Sequence, residues 1–238
     1  MNEFKKNLKI FFISSESKSA KNSLKTLKNI YGNYPIKEAN IIVVLGGDGT
    51  ILSSVHRYYK KEIPIYGMNK GNIGFLMNNF SEKDLEKRLK KSISTQLHPL
   101  KIKTFSNNGD IKELIAFNDV TLIRDSHQSA KIRIDINGAT KINELQCDGC
   151  LIATPAGSSA YNLSLRGPVF PIGAELLALT PISPFRPRRW KGALLPNNVK
   201  ITLSALEDNK RPLRAEADFF QIKKIQKIEV ELDKSSFA

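Results

Sequence analysis

Cysteine, histidine and tryptophan are scarce in this chain of 238 residues, at two, three and one respectively. Two cysteines build no disulfide framework, and a chain of this length buries a hydrophobic core without one. His56, His98 and His127 are scattered, and the Cys147-x-x-Cys150 pair has no second pair to complete the four ligands of a structural zinc. A redox C-x-x-C opens a helix, whereas residues 151–154 read as a strand, so two reduced thiols without chemistry are expected. No apolar run approaches the ~18 residues of a membrane-spanning helix. The N-terminal LKIFFI is too short for a signal-peptide core and has no small-residue cleavage site. A cytoplasmic protein with no membrane contact is the expectation.

Acidic residues are also few. Lys+Arg number 37 and Asp+Glu 23, a formal charge of +14, which invites a nucleic-acid reading. Yet only ten of the 37 are arginine, and the lysines are spread along the chain. No zinc-finger spacing, basic heptad array or RRM-like aromatic signature accompanies them. The charge fits attraction for anionic small molecules such as nucleotides better than a nucleic-acid partner. The densest basic cluster, PFRPRRWK at 184–191, sits beside the only tryptophan and reads as an exposed loop, a subunit contact or a wall of a nucleotide site.

The apolar pattern divides the chain in two. Up to about residue 97, short apolar runs (8–13, 41–45, 63–66) alternate with helical spacings, first Ala20, Leu24, Leu27 and Ile30 or Tyr31, then Ile51, Leu52, Val55, Tyr58 and Tyr59. Ser81 and Asp84 predict the capped start of a helix carrying Leu85 and Leu89. Alternation of strand and helix predicts an α/β domain, 1–97, with a parallel sheet. From residue 98 the segments are short and mostly alternate with period two, with turn signals at 107–109 and at Asn137-Gly138. A mainly antiparallel, sandwich-like β domain is expected over 98–238. Two stretches break its pattern: a Gly/Ser/Thr segment at 154–168, and an apolar stretch at 175–179 that reads as helical.

The strand 41–45 runs directly into Gly46, Gly47, Asp48, Gly49 and Thr50. The carboxyl end of a parallel strand, just before a helix, is where open α/β sheets bind ligands. The glycines admit a phosphate close to the backbone, and the helix start offers N–H groups to an anion. A carboxylate is a poor phosphate ligand but a sensible base or metal-orienting group for phosphoryl transfer. A simple helix cap would explain Asp48 but not three glycines. The loop is neither G-x-x-x-x-G-K-[ST] nor G-x-G-x-x-G.

GGDGT after an apolar strand resembles the phosphate-binding signature of NAD kinases, of diacylglycerol and sphingosine kinases and, more remotely, of phosphofructokinases. Three further segments resemble the NAD kinase family in particular. Gly67, Asn69, Gly71, Gly74, Phe75 and Leu76 match G-x-N-x-G-x-x-G-F-L. Asn118-Asp119 resembles its substrate-binding Asn followed by an acid. Asp148, Thr154, Pro155, Gly157, Ser158, Ala160 and Tyr161 match D-G-x-x-x-x-T-P-x-G-S-x-A-Y. The chain departs from the family at Ser53, where an Arg or Lys is frequent, and at Asp218-Phe219-Phe220, where Asp-Gly-Gln is frequent.

The resemblance implies transfer of the γ-phosphate of ATP to the 2′-hydroxyl of the adenosine ribose of NAD, with a divalent cation, Mg²⁺. It implies Asp48 as proton acceptor and Gly46, Gly47, Gly49 and Thr50 as the phosphate cradle. NAD would be held by Asp48, Gly49, Asn118, Asp119, Asp148, Ala156, Ser159, Ala160, Tyr161, Asn162, Leu163 and Ser164. It also implies a homodimer or homotetramer in which a neighbour completes the site. On chemistry alone, Asn118 offers donor and acceptor to an adenine edge, Asp119 accepts from ribose hydroxyls, and Tyr161 is a stacking platform. The alternatives are a lipid kinase sharing GGDGT and a nucleotide-binding regulator without turnover.

Overall fold

The computed structural model describes residues 8–71 and 74–238. The first seven residues and two positions of the GMNKGNIGFL segment, Asn72 and Ile73, lie outside the described residues. The chain divides into two compact units: the described residues up to Gln96 together with Ser236–Ala238, and Leu97–Ser235.

In the first unit, β1 (Ile10–Ser14), β2 (Ile41–Gly46) and β3 (Ile65–Asn69) form a parallel sheet in the order β1-β2-β3. The helices are α1 (Lys18–Tyr31), α2 (Asp48–Tyr58) and α3 (Leu85–Lys91). Every residue of the central strand β2 is buried, and the pleat sends alternate side chains to opposite faces. Ile41, Val43 and Leu45 pack with Ala20 and Leu27 of α1 and with Leu85 and Leu89 of α3. Ile42 and Val44 pack with Ile51 and Tyr58 of α2. The unbroken apolar run is therefore two half-cores read along one strand.

The start of α3 differs from the expected cap. Asp84 has a left-handed backbone, φ 55°, and its side chain makes no capping bond. The Tyr31 hydroxyl at the end of α1 instead accepts from Leu85 N (3.2 Å) and donates to Glu82 O (2.7 Å). The cap comes from 54 residues away, beyond the reach of any local capping pattern.

The second unit holds twelve strands in chain order: β4 (Leu100–Ser106), β5 (Ile111–Ala116), β6 (Asp119–Arg124), β7 (Ala130–Ile136), β8 (Ala139–Cys147), β9 (Gly149–Ala153), β10 (Leu176–Ile182), β11 (Ala193–Pro196), β12 (Ile201–Ala205), β13 (Leu213–Ala217), β14 (Phe220–Lys223) and β15 (Ile225–Leu232). They form two six-stranded sheets, β11-β10-β9-β6-β13-β14 and β5-β4-β15-β12-β7-β8, and neighbouring strands in both run antiparallel. One core joins their inner faces, from Leu100 and Ile102 through Ile132 and Ile134 to Leu177, Leu203 and Val230. The expected sandwich is present. Asn137 (φ 51°) and Gly138 (φ 78°) take the positive values that a two-residue hairpin requires.

The apolar stretch at 175–179 is not helical: it enters β10, a strand between β9 and β11. Leu177 and Leu179 face the sandwich core, while Ala178 joins Leu151 and Ala153 on the outer face under Leu165 and Phe170. A strand covered on both faces shows no alternation, so periodicity alone does not separate it from a helix.

Cys147 and Cys150 are free, buried and turned into the sandwich core. Burial pushes the Cys147 thiol up to about 12 and the Cys150 thiol well above its ordinary range. The native protein should therefore release no colour with a thiol-disulfide reagent over minutes at about pH 8, and react at both thiols once denatured. Rapid reaction of either thiol in the native state would contradict this.

Candidate active site

The carboxyl end of β2 delivers Gly46 and Gly47, and α2 begins at Asp48 with Gly47 as its extended N-cap residue. The first turn of a helix presents N–H groups without intrahelical partners, aimed outward. Lys70, just past the end of β3, donates its backbone N–H to Gly46 O (2.8 Å), tying the next loop to this one. That loop returns to the carboxylate. Phe75 N donates to Asp48 Oδ2 (2.9 Å) and Leu76 N to Asp48 Oδ1 (3.1 Å). A Cβ at residue 74 would stand 2.6 Å from Asp48 Oδ1, so only glycine lets the loop close this far. The Gly-Phe-Leu of the second motif is thereby the holder of the Asp of the first. The Ser53 hydroxyl turns back to Thr50 O (2.9 Å).

In the second unit, Asn118 and Asp119 lie where β6 begins. The Asp218 carboxylate, from the turn between β13 and β14, accepts from Phe117 N (2.7 Å), Asn118 N (3.1 Å) and Asp119 N (3.2 Å). On the other side Thr154 N donates to Asn118 O (2.9 Å), and Thr154 Oγ1 donates to Phe117 O (2.6 Å) and accepts from Gly157 N (3.1 Å). Gly157 lies so close that a Cβ would collide with the Asn118 carbonyl. Asn118 Oδ1 is buried without a hydrogen-bond partner among the described residues. An orphaned buried acceptor costs stability unless a ligand fills it. Burial, and after it the Asp218 carboxylate, push the Asp119 carboxyl up to about 7.

A family model described as the ATP-NAD kinase N-terminal domain matches residues 8–97, and one described as the ATP-NAD kinase C-terminal domain matches residues 117–235. The chain belongs to the ATP-NAD kinase family. The NAD kinase of Rhizobium meliloti is 46% identical over 219 residues, spanning 92% of this chain and 85% of that protein. The NAD kinase of Brucella melitensis is 45% identical over 224 residues, spanning 94% and 87%. The fold agrees with the crystal structure of yeast NADH kinase complexed with NADH, at TM-score 0.82, 20% identity and coverage of 97% and 82%. It agrees also with an NAD kinase from Archaeoglobus fulgidus in complex with ATP, at TM-score 0.74, 23% identity and coverage of 95% and 91%. Neither a lipid kinase nor a non-catalytic regulator finds support among these relatives.

In this ATP-NAD kinase the segment after Thr154 forms a 3-10 turn, Ala156–Ser159, and a single helical turn, α4 (Tyr161–Ser164). Tyr161, Leu163 and Ser164 are exposed, Ser159 and Ala160 are half-buried, and Ala156 is buried. Asn162 is wholly inside: its amide donates to Ser158 O (3.2 Å) and Pro168 O (2.9 Å) and accepts from Thr180 Oγ1 (2.6 Å). Asp148 stands apart from this cluster. It precedes β9 at the end opposite Ala153, roughly 17 Å along a strand at ~3.3 Å per residue. There Arg124 Nε donates to its Oδ1 (2.6 Å). The 184–191 loop is fastened near the same end, through Phe185 N and Arg186 N to Gln146 O. Among the described residues no three His, Cys, Asp or Glu side chains gather into a group able to hold a metal ion, and no helix is long and apolar enough to cross a membrane.

Two residues of this site were not readable as such from their surroundings. Asp218 showed only as a departure from a family pattern, and Thr154 only as a motif match. The signal, in retrospect, was a lone acid at a hairpin tip, a place that needs no charge. The Gly157 contact is directly testable. Gly157→Ala should lower stability by about 2 kcal/mol or more, since the displaced Asn118 carbonyl belongs to a buried network. Thermal unfolding should fall by roughly 4–8 °C. An unchanged melting temperature would mean that the approach is not tight.

Proposed function

We propose that Asp48 is the proton acceptor in the ATP-dependent phosphorylation of NAD, the activity of the family to which the chain belongs. The 2′-hydroxyl oxygen of the adenosine ribose bonds to the γ-phosphorus of ATP as the bond from that phosphorus to the β–γ bridging oxygen breaks. ADP leaves, and the hydroxyl proton passes to the Asp48 carboxylate. The observation that carries this reading is the double anchoring of Asp48 by Phe75 N and Leu76 N beside the glycine loop. A base held at both oxygens stays aimed, and orientation is a large part of what an enzyme supplies. Gly46, Gly47, Gly49 and Thr50 form the phosphate cradle, Thr50 through its hydroxyl, because its N–H already donates to Gly47 O (2.9 Å). Mg²⁺ fits as an ion that arrives on the ATP phosphates, because it accepts one or two carboxylates with its remaining sites on phosphate and water, and needs no cage of three or more protein ligands, which the described residues do not form. When bound it neutralises charge building on the transferring group.

The adenosine half falls to the second cluster. The orphaned Asn118 Oδ1 accepts from the adenine amino group. Asp119 accepts from ribose hydroxyls, and the exposed Tyr161 ring stacks. Ala156, Ser159, Ala160, Leu163 and Ser164 shape the wall. Asn162, its amide fully used inside the protein, holds that wall in place. Asp148 lies at the other end of β9, so it serves NAD bound by a neighbouring copy, as a homodimer or homotetramer would allow.

Asp48→Asn should lower kcat by ~10²-fold or more with little change in NAD affinity. Gly74→Ala should lower kcat in the same direction by disturbing the carboxylate. Near-normal turnover of Asp48→Asn would refute the base assignment. A second measurement addresses the substrate. NAD at about a hundredfold excess over Kd should stabilise the fold by roughly 2.7 kcal/mol, and Asn118→Ala should weaken that gain. Nicotinamide mononucleotide, which lacks adenosine, should shift melting little. An equal shift from the mononucleotide would overturn recognition through adenosine.

A further inference from the structure

We propose that Asp218 is a positioning residue of the NAD site, presenting Asn118 and Asp119 to the nucleotide through the backbone bonds that its carboxylate collects. This rests on the reading that Asn118 and Asp119 hold NAD. Three consecutive N–H groups, those of residues 117, 118 and 119, converge on one carboxylate contributed about a hundred residues later. Consecutive N–H groups point the same way only when the chain turns, so the three bonds specify the turn. The anchoring is reciprocal, since Asp218 N donates to Asp119 O (3.2 Å). Asp218 itself has φ 47°, the left-handed region that aspartate enters more readily than most side chains, as the β13–β14 turn requires. Thr154 closes the opposite side of the turn. With the backbone satisfied from both sides, the Asn118 amide oxygen is held in place while unpaired.

A carboxylate suits this task and an amide does not. Asp218 offers only acceptors to three donors, whereas an asparagine would turn an NH₂ group toward an N–H. The carboxylate also brings a negative charge to Asp119. Burial is the main reason that Asp119 titrates near 7, and the Asp218 charge is the second. Other charged groups on the surrounding elements are few. The cross-strand neighbour of Asp119 on β9 is Ala153, and Leu151 follows on the same face. On β13 the next acid, Glu216, is paired with Arg214. Residues 154–164 carry no charged side chain, and Tyr161 is their one titratable group. If Asp119 accepts from ribose hydroxyls, its ionised form binds. NAD affinity then falls as pH drops through about 7. Removing the Asp218 charge lowers the Asp119 value and moves that fall to lower pH.

The test is calorimetric NAD binding to the full chain without ATP, from about pH 5.5 to about pH 8.5, for wild type, Asp218→Asn, Asp218→Glu and Asp119→Asn. Asp218→Asn should weaken NAD binding about tenfold at the alkaline end, for a lost charge-assisted contact network. It should leave the KM for ATP unchanged and shift the acid midpoint downward. Asp119→Asn should abolish the pH dependence. Wild-type affinity and midpoint in Asp218→Asn would overturn the proposal. If Asp218→Asn fails to fold, Asp218→Glu decides: weakened NAD binding with an unmoved midpoint supports it, and wild-type affinity overturns it. Unaltered binding and pH dependence in Asp119→Asn would instead overturn the assignment of Asp119 to NAD.

Discussion

A carboxylate that gathers backbone N–H groups from a distant segment organises each of the two motif clusters in this chain. Asp48 collects two, from Phe75 and Leu76, and Asp218 collects three, from residues 117–119. The physical basis is the same in each. A carboxylate is acceptor only, a backbone N–H is an obligatory donor, and neither is left unpaired in a partly buried loop at low cost. Meeting both needs at once closes the loop and aims the side chain in a single step.

The two carboxylates nevertheless end in different positions. Asp48 is held and half-exposed at the head of α2, at the carboxyl edge of a sheet whose central strand is wholly buried. It has rigid backing and an open front, as the base proposed above requires. Asp218 sits behind the residues it organises, and its oxygens are engaged by their backbone. What it leaves unengaged is the Asn118 amide oxygen. The same separation runs through the 154–164 segment, where Thr154 and Asn162 are consumed by internal bonds while Tyr161 and Leu163 stay exposed. Family membership and this division of labour agree: the motif residues that look alike in the sequence split into those that build and those that face outward.

Much of the architecture was legible beforehand. Strand-helix alternation with a β-branched run at 41–45 indicated a parallel sheet, and period-two segments with an Asn137-Gly138 turn indicated the sandwich, because burial on one face writes itself into the chain as a period. Elements capped from afar, or buried on both faces without a β-branched run such as 41–45, were not legible. β10 reads as helical because both of its faces are covered. The start of α3 suggests a local cap at Asp84, yet the Tyr31 hydroxyl supplies it. The four-residue edge strands β11 and β14 carry too few residues to show a period.

The sequence by itself determined the family and the chemical type of the site, because glycines flanking an acid after a buried strand, and the Thr-Pro-x-Gly-Ser segment, are local patterns whose meaning does not depend on what lies opposite. Only the tertiary structure decided which residues act on one another. That Gly74 exists for Asp48, that Gly157 exists for the Asn118 carbonyl, and that Asp148 lies a strand's length from Asn118 are facts of contact between segments tens of residues apart. No spacing rule reports them, because hydrogen bonding and excluded volume act on distance in space, and the path of the chain sets that distance only once it has folded.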